Sequence, residues 1–196
     1  MSIKTDRLIS RARKLIKKGE IEQAKEIYSN ILKSFPNNQE AKKGISLLEK
    51  GKEIHPTQVQ LDEVIKLYSS GQMNEALASV ETLINIFPNE YLLFNICGAC
   101  HSEIGSIELA IENFKKAISI KIDYAEAQYN LGVAYQKINQ LNDAAEYYEL
   151  AINSQHAYPT AHNNLGVVLL NKGRLGDAVK SFEWAIAYSP NYAEAH

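Results

Sequence analysis

Along most of the chain apolar residues recur every three or four positions, the spacing that gathers them on one side of an α-helix. Leu131, Ala134, Tyr135 and Ile138 form one such stripe; Leu141, Ala144, Ala145, Tyr148, Ala151 and Ile152 form the next. Breakers separate them. Gly71, Gly105, Asn139 and Gly173 are placed to end the first stripe of each pair, and Pro88 and Pro190 to end the second. The pattern predicts antiparallel helical hairpins. Asp123 with Glu126, and Asn191 with Glu194, set a capping side chain and an acidic reciprocal partner three residues apart, which predicts the start of a hairpin at each point.

The hairpins repeat. A shift of 34 residues superposes the chain on itself from Thr57 onward. Ala76, Ala110, Ala144 and Ala178 coincide, as do Gly98, Gly132 and Gly166, and Val80, Phe114, Tyr148 and Phe182. These identities have a mechanical reason: Gly132 and Ala144 let two helices approach, and the ring of Tyr148 or Phe182 fills the neighbouring gap.

On these residues the units resemble tetratricopeptide repeats, whose pattern reads aromatic, Leu-Gly, Tyr, Ala, Phe and Pro. Residues 125–158 carry Leu131, Gly132, Tyr135, Ala144, Tyr148 and Ala151; residues 159–192 carry Leu165, Gly166, Leu169, Ala178, Phe182, Ala185 and Pro190. Residues 91–124 depart from it at Cys97 and His101, and residues 57–90 have Glu63 and Val64 where Leu-Gly would stand. The resemblance implies an all-α fold, a tetratricopeptide-repeat solenoid built as a right-handed superhelix of antiparallel helix pairs.

Upstream, Gly19, Ala24, Tyr28 and Pro36 reproduce the second half of the pattern, so Thr5 to Asn38 reads as a further unit. Gln39 to Lys50 reads as a lone helix stopped by Gly51 to Pro56, because Thr57 opens a new unit 18 residues after Gln39 instead of 34. The expected organisation is therefore a basic hairpin, lone helix and hinge over 1–56. Four repeats follow over 57–196 (57–90, 91–124, 125–158 and 159–192), with the start of a fifth from Tyr192 to His196. That last segment duplicates Tyr124 to Gln128, which suggests a piece of a longer protein.

Charge divides at the same place. Residues 1–56 carry 13 Lys and Arg against 7 Asp and Glu, whereas residues 57–196 carry 8 against 16. A net acidic surface repels phosphates, so nucleic acid is excluded as a partner of the larger part. Arg7, Arg11, Lys14 and Lys18 share one face of the first helix, with Leu8, Ala12, Leu15 and Ile16 nearer the other. That face is either simply solvated or docks something acidic. No apolar run approaches the roughly 20 residues of a membrane span. Two cysteines, Cys97 and Cys100, rule out a disulfide framework and fit a reducing, cytoplasmic setting.

Candidate chemistry is sparse. Cys97-Gly-Ala-Cys100 beside His101 has the outline of a metal or redox half-site, but no second ligand pair exists at zinc spacing, and a thioredoxin-type motif needs a strand before its helix. Both thiols fall on interior repeat positions and read as packing. His156 and His162 stand alone, no carboxylates converge, and no glycine-rich phosphate loop appears. No catalytic residue, metal or cofactor is expected, and the chain reads as a non-enzyme.

What remains is a surface. In arrays of this family the first helices of successive units line the concave side. The groove positions map onto Asn95, Glu126, Tyr129, Asn130, Val133, Lys137, Asn163, Asn164, Val167, Leu170 and Asn171. In several members asparagines just before Leu-Gly line the groove and bind the backbone of a peptide, and Asn130 and Asn164 match that placement. An amide offers a donor and an acceptor together, so such a ladder pairs with an extended chain regardless of its sequence; the alternative is that these asparagines only cap or solvate the groove. The basic clamp that some members use for acidic C-termini is missing, since Leu61, Asn95, Glu126 and Thr160 occupy its positions. The expected function is a protein–protein interaction scaffold holding a peptide segment of a partner. The alternatives are the substrate-recruiting arm of a larger glycosyltransferase or sulfotransferase, and a homo-oligomer formed through the basic first hairpin or the uncapped last helix.

Overall fold

The computed structural model describes residues 3–17, 20–49 and 55–191, and these form helices with no strand among them. In chain order they are α1 (Ile3–Lys17), α2 (Ile21–Ser34), α3 (Gln39–Glu49), α4 (Gln58–Ser69), α5 (Met73–Ile86), α6 (Tyr91–Glu103), α7 (Ile107–Ile120), α8 (Ala125–Lys137), α9 (Leu141–Ser154), α10 (Pro159–Asn171) and α11 (Leu175–Tyr188). The all-α expectation is met. Each helix packs on its sequence neighbours from α4 through α11, and α6 also touches α8. Contacts therefore advance along the chain without closing into a globule, which is what makes the array a solenoid.

The junctions follow from backbone sterics. Gly71 (φ 78°), Gly105 (φ 84°) and Gly173 (φ 73°) take the left-handed conformation after α4, α6 and α10, and Asn139 (φ 59°) takes it after α8. Glycine enters that region without a Cβ penalty, and asparagine is the side-chain-bearing residue that tolerates it best.

Packing within a pair depends on a missing Cβ. An added Cβ at Gly98 would stand 2.7 Å from the Phe114 ring, at Gly132 2.7 Å from Tyr148, and at Gly166 2.6 Å from Phe182. Three aromatic rings thus lie flat on the backbone of the helix before them. The core of the downstream array collects Phe114, Leu131, Tyr135, Tyr148, Val168 and Leu169, while Val64, Val80, Leu93 and Cys97 form a smaller cluster at its upstream end.

The first three helices have their own core, with Ile9, Ala12, Ala24, Tyr28, Ile31, Ala41 and Leu48 at its centre. Here the close contact runs the other way along the chain: a Cβ at Gly44 on α3 would meet the ring of Tyr28 on α2 at 2.5 Å. α3 packs on α2, and Leu47 on it is left exposed. Ile9 takes the core position on α1, while Leu8 is at the surface with Arg7, Arg11 and Lys14. The expected hinge over 51–56 falls mainly on residues 51–54, which lie outside the described residues, as do Lys50 at the end of the expected lone helix and Lys18 and Gly19 of the first unit. At the downstream end of the hinge Pro56 is buried, and His55 hydrogen-bonds the buried carboxylate of Glu90 at 2.5 Å.

One local expectation fails. α8 begins at Ala125 behind Tyr124, with no side-chain cap, so Asp123 and Glu126 do not form a capping box. Glu126 instead turns to partners on the groove side. The structure places a full capping box at Thr57 and Gln60, where Gln60 also accepts from the Thr57 backbone N–H at 2.9 Å. The second expected box, Asn191 with Glu194, ends outside the described residues.

Candidate interaction groove

Successive first helices α6, α8 and α10 carry the groove positions, and the structure divides those residues into two sets. One set forms the wall. Asn95 is buried, and every polar atom of its amide is engaged: Nδ2 donates to Tyr124 Oη at 3.2 Å and to Glu126 Oε1 at 3.0 Å, and Oδ1 accepts from Asn130 Nδ2 at 3.0 Å. The Tyr124 hydroxyl donates in turn to Glu126 Oε2 at 3.1 Å. Burial and the adjoining Glu126 charge push the Tyr124 hydroxyl well above the usual tyrosine range, which keeps it a proton donor.

One repeat further on the same register is built from different groups. Asn164 Nδ2 donates to Tyr129 Oη at 3.1 Å and lies 3.5 Å from Tyr148 Oη, whose own proton goes to Gln136 Oε1 at 2.7 Å. Tyr129 packs its ring against Tyr148 and Tyr158, with centroids 5.7 and 5.1 Å apart. Burial raises the Tyr129, Tyr148 and Tyr158 hydroxyls, and the Asn164 bond offsets part of this at the first two. Asn163 is buried, and its Oδ1 has no hydrogen-bond partner.

The second set faces solvent. Val133 and Val167 are half-buried, Leu170 is 49% exposed, and Asn171, Glu126 and Lys137 are exposed. Lys137 Nζ donates to Ser102 Oγ at 2.8 Å and reaches the Ser102 carbonyl at 3.4 Å, in the last turn of α6. A cleft of about 150 Å³ opens between α4, α6 and α8 over Phe114 of α7, and Tyr68, Glu103, Tyr129, Asn130 and Lys137 are among the residues that line it.

The residues chosen from the sequence thus come together, but Asn95, Asn130 and Asn164 spend amide groups on neighbouring helices. Sequence reasoning missed Tyr124 and Tyr148 as members of the network and Tyr68 as a wall of the cleft. Tyr68 had a signal: it stands 34 residues before Ser102, at a groove position of the most divergent unit.

The chemistry elsewhere is inert. Cys97 and Cys100 are buried, and burial pushes their thiols up to about 12 and about 11. Among the described residues no group of His, Cys, Asp and Glu is arranged to hold a metal ion. No described helix is long and apolar enough to cross a membrane.

Fold and groove together define an α-solenoid of paired helices with a continuous first-helix face. Sequence profiles agree: residues 101–139 match a TPR repeat, and residues 11–38, 125–155 and 159–192 match the tetratricopeptide repeat. The chain belongs to the tetratricopeptide-repeat family. It is 26% identical over 127 residues to human DnaJ homolog subfamily C member 3, an alignment that covers 65% of this chain and 25% of that protein. The chain therefore spans about a quarter of the length of these curated relatives. Among solved structures it is similar to MamA (24% identity, TM-score 0.64, 99% of this chain and 98% of that one). It is also similar to YrrB, described as a TPR protein with an unusual peptide-binding site (18% identity, TM-score 0.59, 96% and 88%). At these identities the likeness concerns the fold.

Proposed function

We propose that the chain is a non-catalytic scaffold that holds a segment of a partner protein along the face formed by α4, α6, α8 and α10. The observation that carries this reading is the division of labour on that face. Asn95, Tyr124, Asn164 and Tyr148 tie consecutive units into a fixed wall, while Val133, Val167 and Leu170 stay open to solvent. A rigid polar wall beside accessible aliphatic side chains is what a docked segment needs: the wall lowers the ordering cost of binding, and the aliphatic groups supply the burial. The solved YrrB, whose description names a peptide-binding site, supports the same reading by analogy of fold.

The test is to select ligands from a displayed random-peptide library and map them by backbone amide chemical shifts. Perturbations concentrated on Val133, Val167, Leu170 and their neighbours, abolished by Val133→Glu with Val167→Glu, are expected. Perturbations confined to α5, α7, α9 and α11 would place binding on the outer helices and overturn the proposal.

A further inference from the structure

At the upstream half of the groove several donors are engaged within the protein while carboxylates stay open. Asn95 gives both amide hydrogens to Tyr124 and Glu126, Asn164 directs its own at Tyr129 and Tyr148, and Lys137 is held on Ser102. The Lys137 ammonium sits against the C-terminal carbonyls of α6, where the helix dipole favours a cation. It forms no ion pair with a carboxylate, and neither Glu103 nor Glu126 has a cationic partner among the described residues.

Those two carboxylates flank the cleft at the upstream half of the face. Glu103 lines it directly, and Glu126 is fixed beside it through Asn95, which also holds the cleft residue Asn130. Glu126 accepts two hydrogen bonds yet remains exposed, so its orientation is set and its remaining lone pairs face water. Tyr68 and Tyr129 line the cleft above the buried Phe114 ring, and Ser102 lines it together with Lys137, whose ammonium is bonded to Ser102. The Tyr68 hydroxyl registers this arrangement: after burial, the charges raising it include Glu103 and Glu126, from two different helices. Asn130 donates through Nδ2, and its Oδ1 has no hydrogen-bond partner among the described residues. Downstream, the corresponding positions Thr160, Asn163, Asn164, Val167, Leu170 and Asn171 carry no charge at all.

Aromatic faces beside carboxylates in a small cleft match one kind of polypeptide side chain, because the rings attract a cation through their quadrupoles and the carboxylates accept its N–H groups. We propose that the cleft among Tyr68, Glu103, Phe114, Tyr129 and Asn130 is a subsite for a lysine or arginine side chain of the docked segment. Aliphatic residues of the same segment then lie over Val167 and Leu170. This rests on the groove-docking reading and adds to it a charge and a direction: basic toward α6, apolar toward α10.

Three short fluorescein-labelled peptides with the same aliphatic residues, and with lysine, glutamine or glutamate between them, test it by fluorescence anisotropy at several salt concentrations. The lysine peptide is expected to bind most tightly and to weaken with salt. Glu103→Gln with Glu126→Gln should lower its affinity roughly tenfold, whereas Glu112→Gln with Glu146→Gln, the same charge change on the outer helices α7 and α9, should leave it within about twofold. Melting curves of both double variants confirm that each is folded, and Glu103→Gln alone should weaken binding if the pair unfolds. Equal binding of the lysine and glutamine peptides, preference for the glutamate peptide, or indifference to the Glu103 and Glu126 changes would overturn the cation subsite. Docking along the groove would survive those results, since it is judged separately by the library-selected peptides and their shift map.

Discussion

Gly132 on α8 lies directly beneath the ring of Tyr148 on α9, so close that a Cβ on the glycine would stand 2.7 Å from two of the ring carbons. Tyr148 is completely buried, and its hydroxyl is fixed on Gln136, so the ring has little room to withdraw. Gly132→Ala must therefore move either the ring or the helix, and overpacking of this kind costs about 1–3 kcal/mol. Urea unfolding should show that loss. Gly176→Ala is the control, since nothing lies within 4 Å of its Cβ position and it sits in the first turn of α11. The control is expected to be neutral or mildly stabilising; equal losses in the two variants would mean that the ring contact is not what selects glycine at position 132.

Asn95 holds three hydrogen bonds, to Tyr124 just before α8 and to Glu126 and Asn130 on α8, all from a buried position. Asn95→Ala leaves the Tyr124 hydroxyl and the Asn130 amide short of partners, for an expected cost of about 1–3 kcal/mol. Asn95→Asp should be worse although it is nearly isosteric, because it brings a second carboxylate against Glu126. Adding Glu126→Gln to Asn95→Asp should restore part of the loss. A double-mutant cycle by chemical denaturation reads this directly, and additive effects would show that the two side chains are not coupled.

The contrast between Gly132 and Asn95 shows which parts of the protein could be read from the sequence. Gly132 and Tyr148 stand sixteen residues apart inside one hairpin, and the pair recurs as Gly98 with Phe114 and Gly166 with Phe182, so period and chemistry point the same way. Asn95 reaches Glu126 across a repeat boundary, and among the described residues only this unit's asparagine bonds both the tyrosine that closes its own repeat and a glutamate in the first turn of the next. An amide at a groove position has the same appearance in sequence whether it waits for a ligand or braces the wall. The same contact explains the lost capping box, since a carboxylate bonded to Asn95 and Tyr124 is no longer turned back toward Asp123. α3 was visible as a lone helix, but its close approach through Gly44 to Tyr28 fell outside the 34-residue register and gave no periodic signal.

The two thiols give a prediction about reactivity. Cys97 and Cys100 are buried, with burial raising them to about 12 and about 11 and nearby Glu81 and Glu103 raising Cys97 and Cys100 further. Only the thiolate is nucleophilic, so at pH 8 the folded protein should react with a disulfide reagent at least ~100-fold more slowly than the unfolded chain. Stopped-flow absorbance with and without urea measures the ratio. Rapid reaction of one thiol in the folded state would identify an exposed, activated cysteine and revive the redox reading of Cys97-Gly-Ala-Cys100.

His162 gives the pH dependence. It is buried at the start of α10, its Nε2–H donates to the His156 carbonyl at 3.2 Å, and its ring stacks on Tyr188 and Trp184 with centroids 5.6 and 6.3 Å away. Burial lowers its pKa below the usual histidine value, and the bond to His156 opposes this only in part. A lowered folded-state value means that the unfolded chain binds the proton more readily. The stability of α10 and α11 is therefore unaffected by this group above about pH 6.5, and it falls as the pH drops through that unfolded value toward the lower folded one. Trp184 is the chain's single tryptophan, so its fluorescence reports unfolding at this site. Melting temperatures followed by Trp184 emission should decline between pH 7.5 and 5 in the wild type. His162→Phe keeps an aromatic ring at the position but cannot be protonated, and it should flatten that part of the profile. An unchanged slope in His162→Phe would transfer the pH sensitivity to other groups.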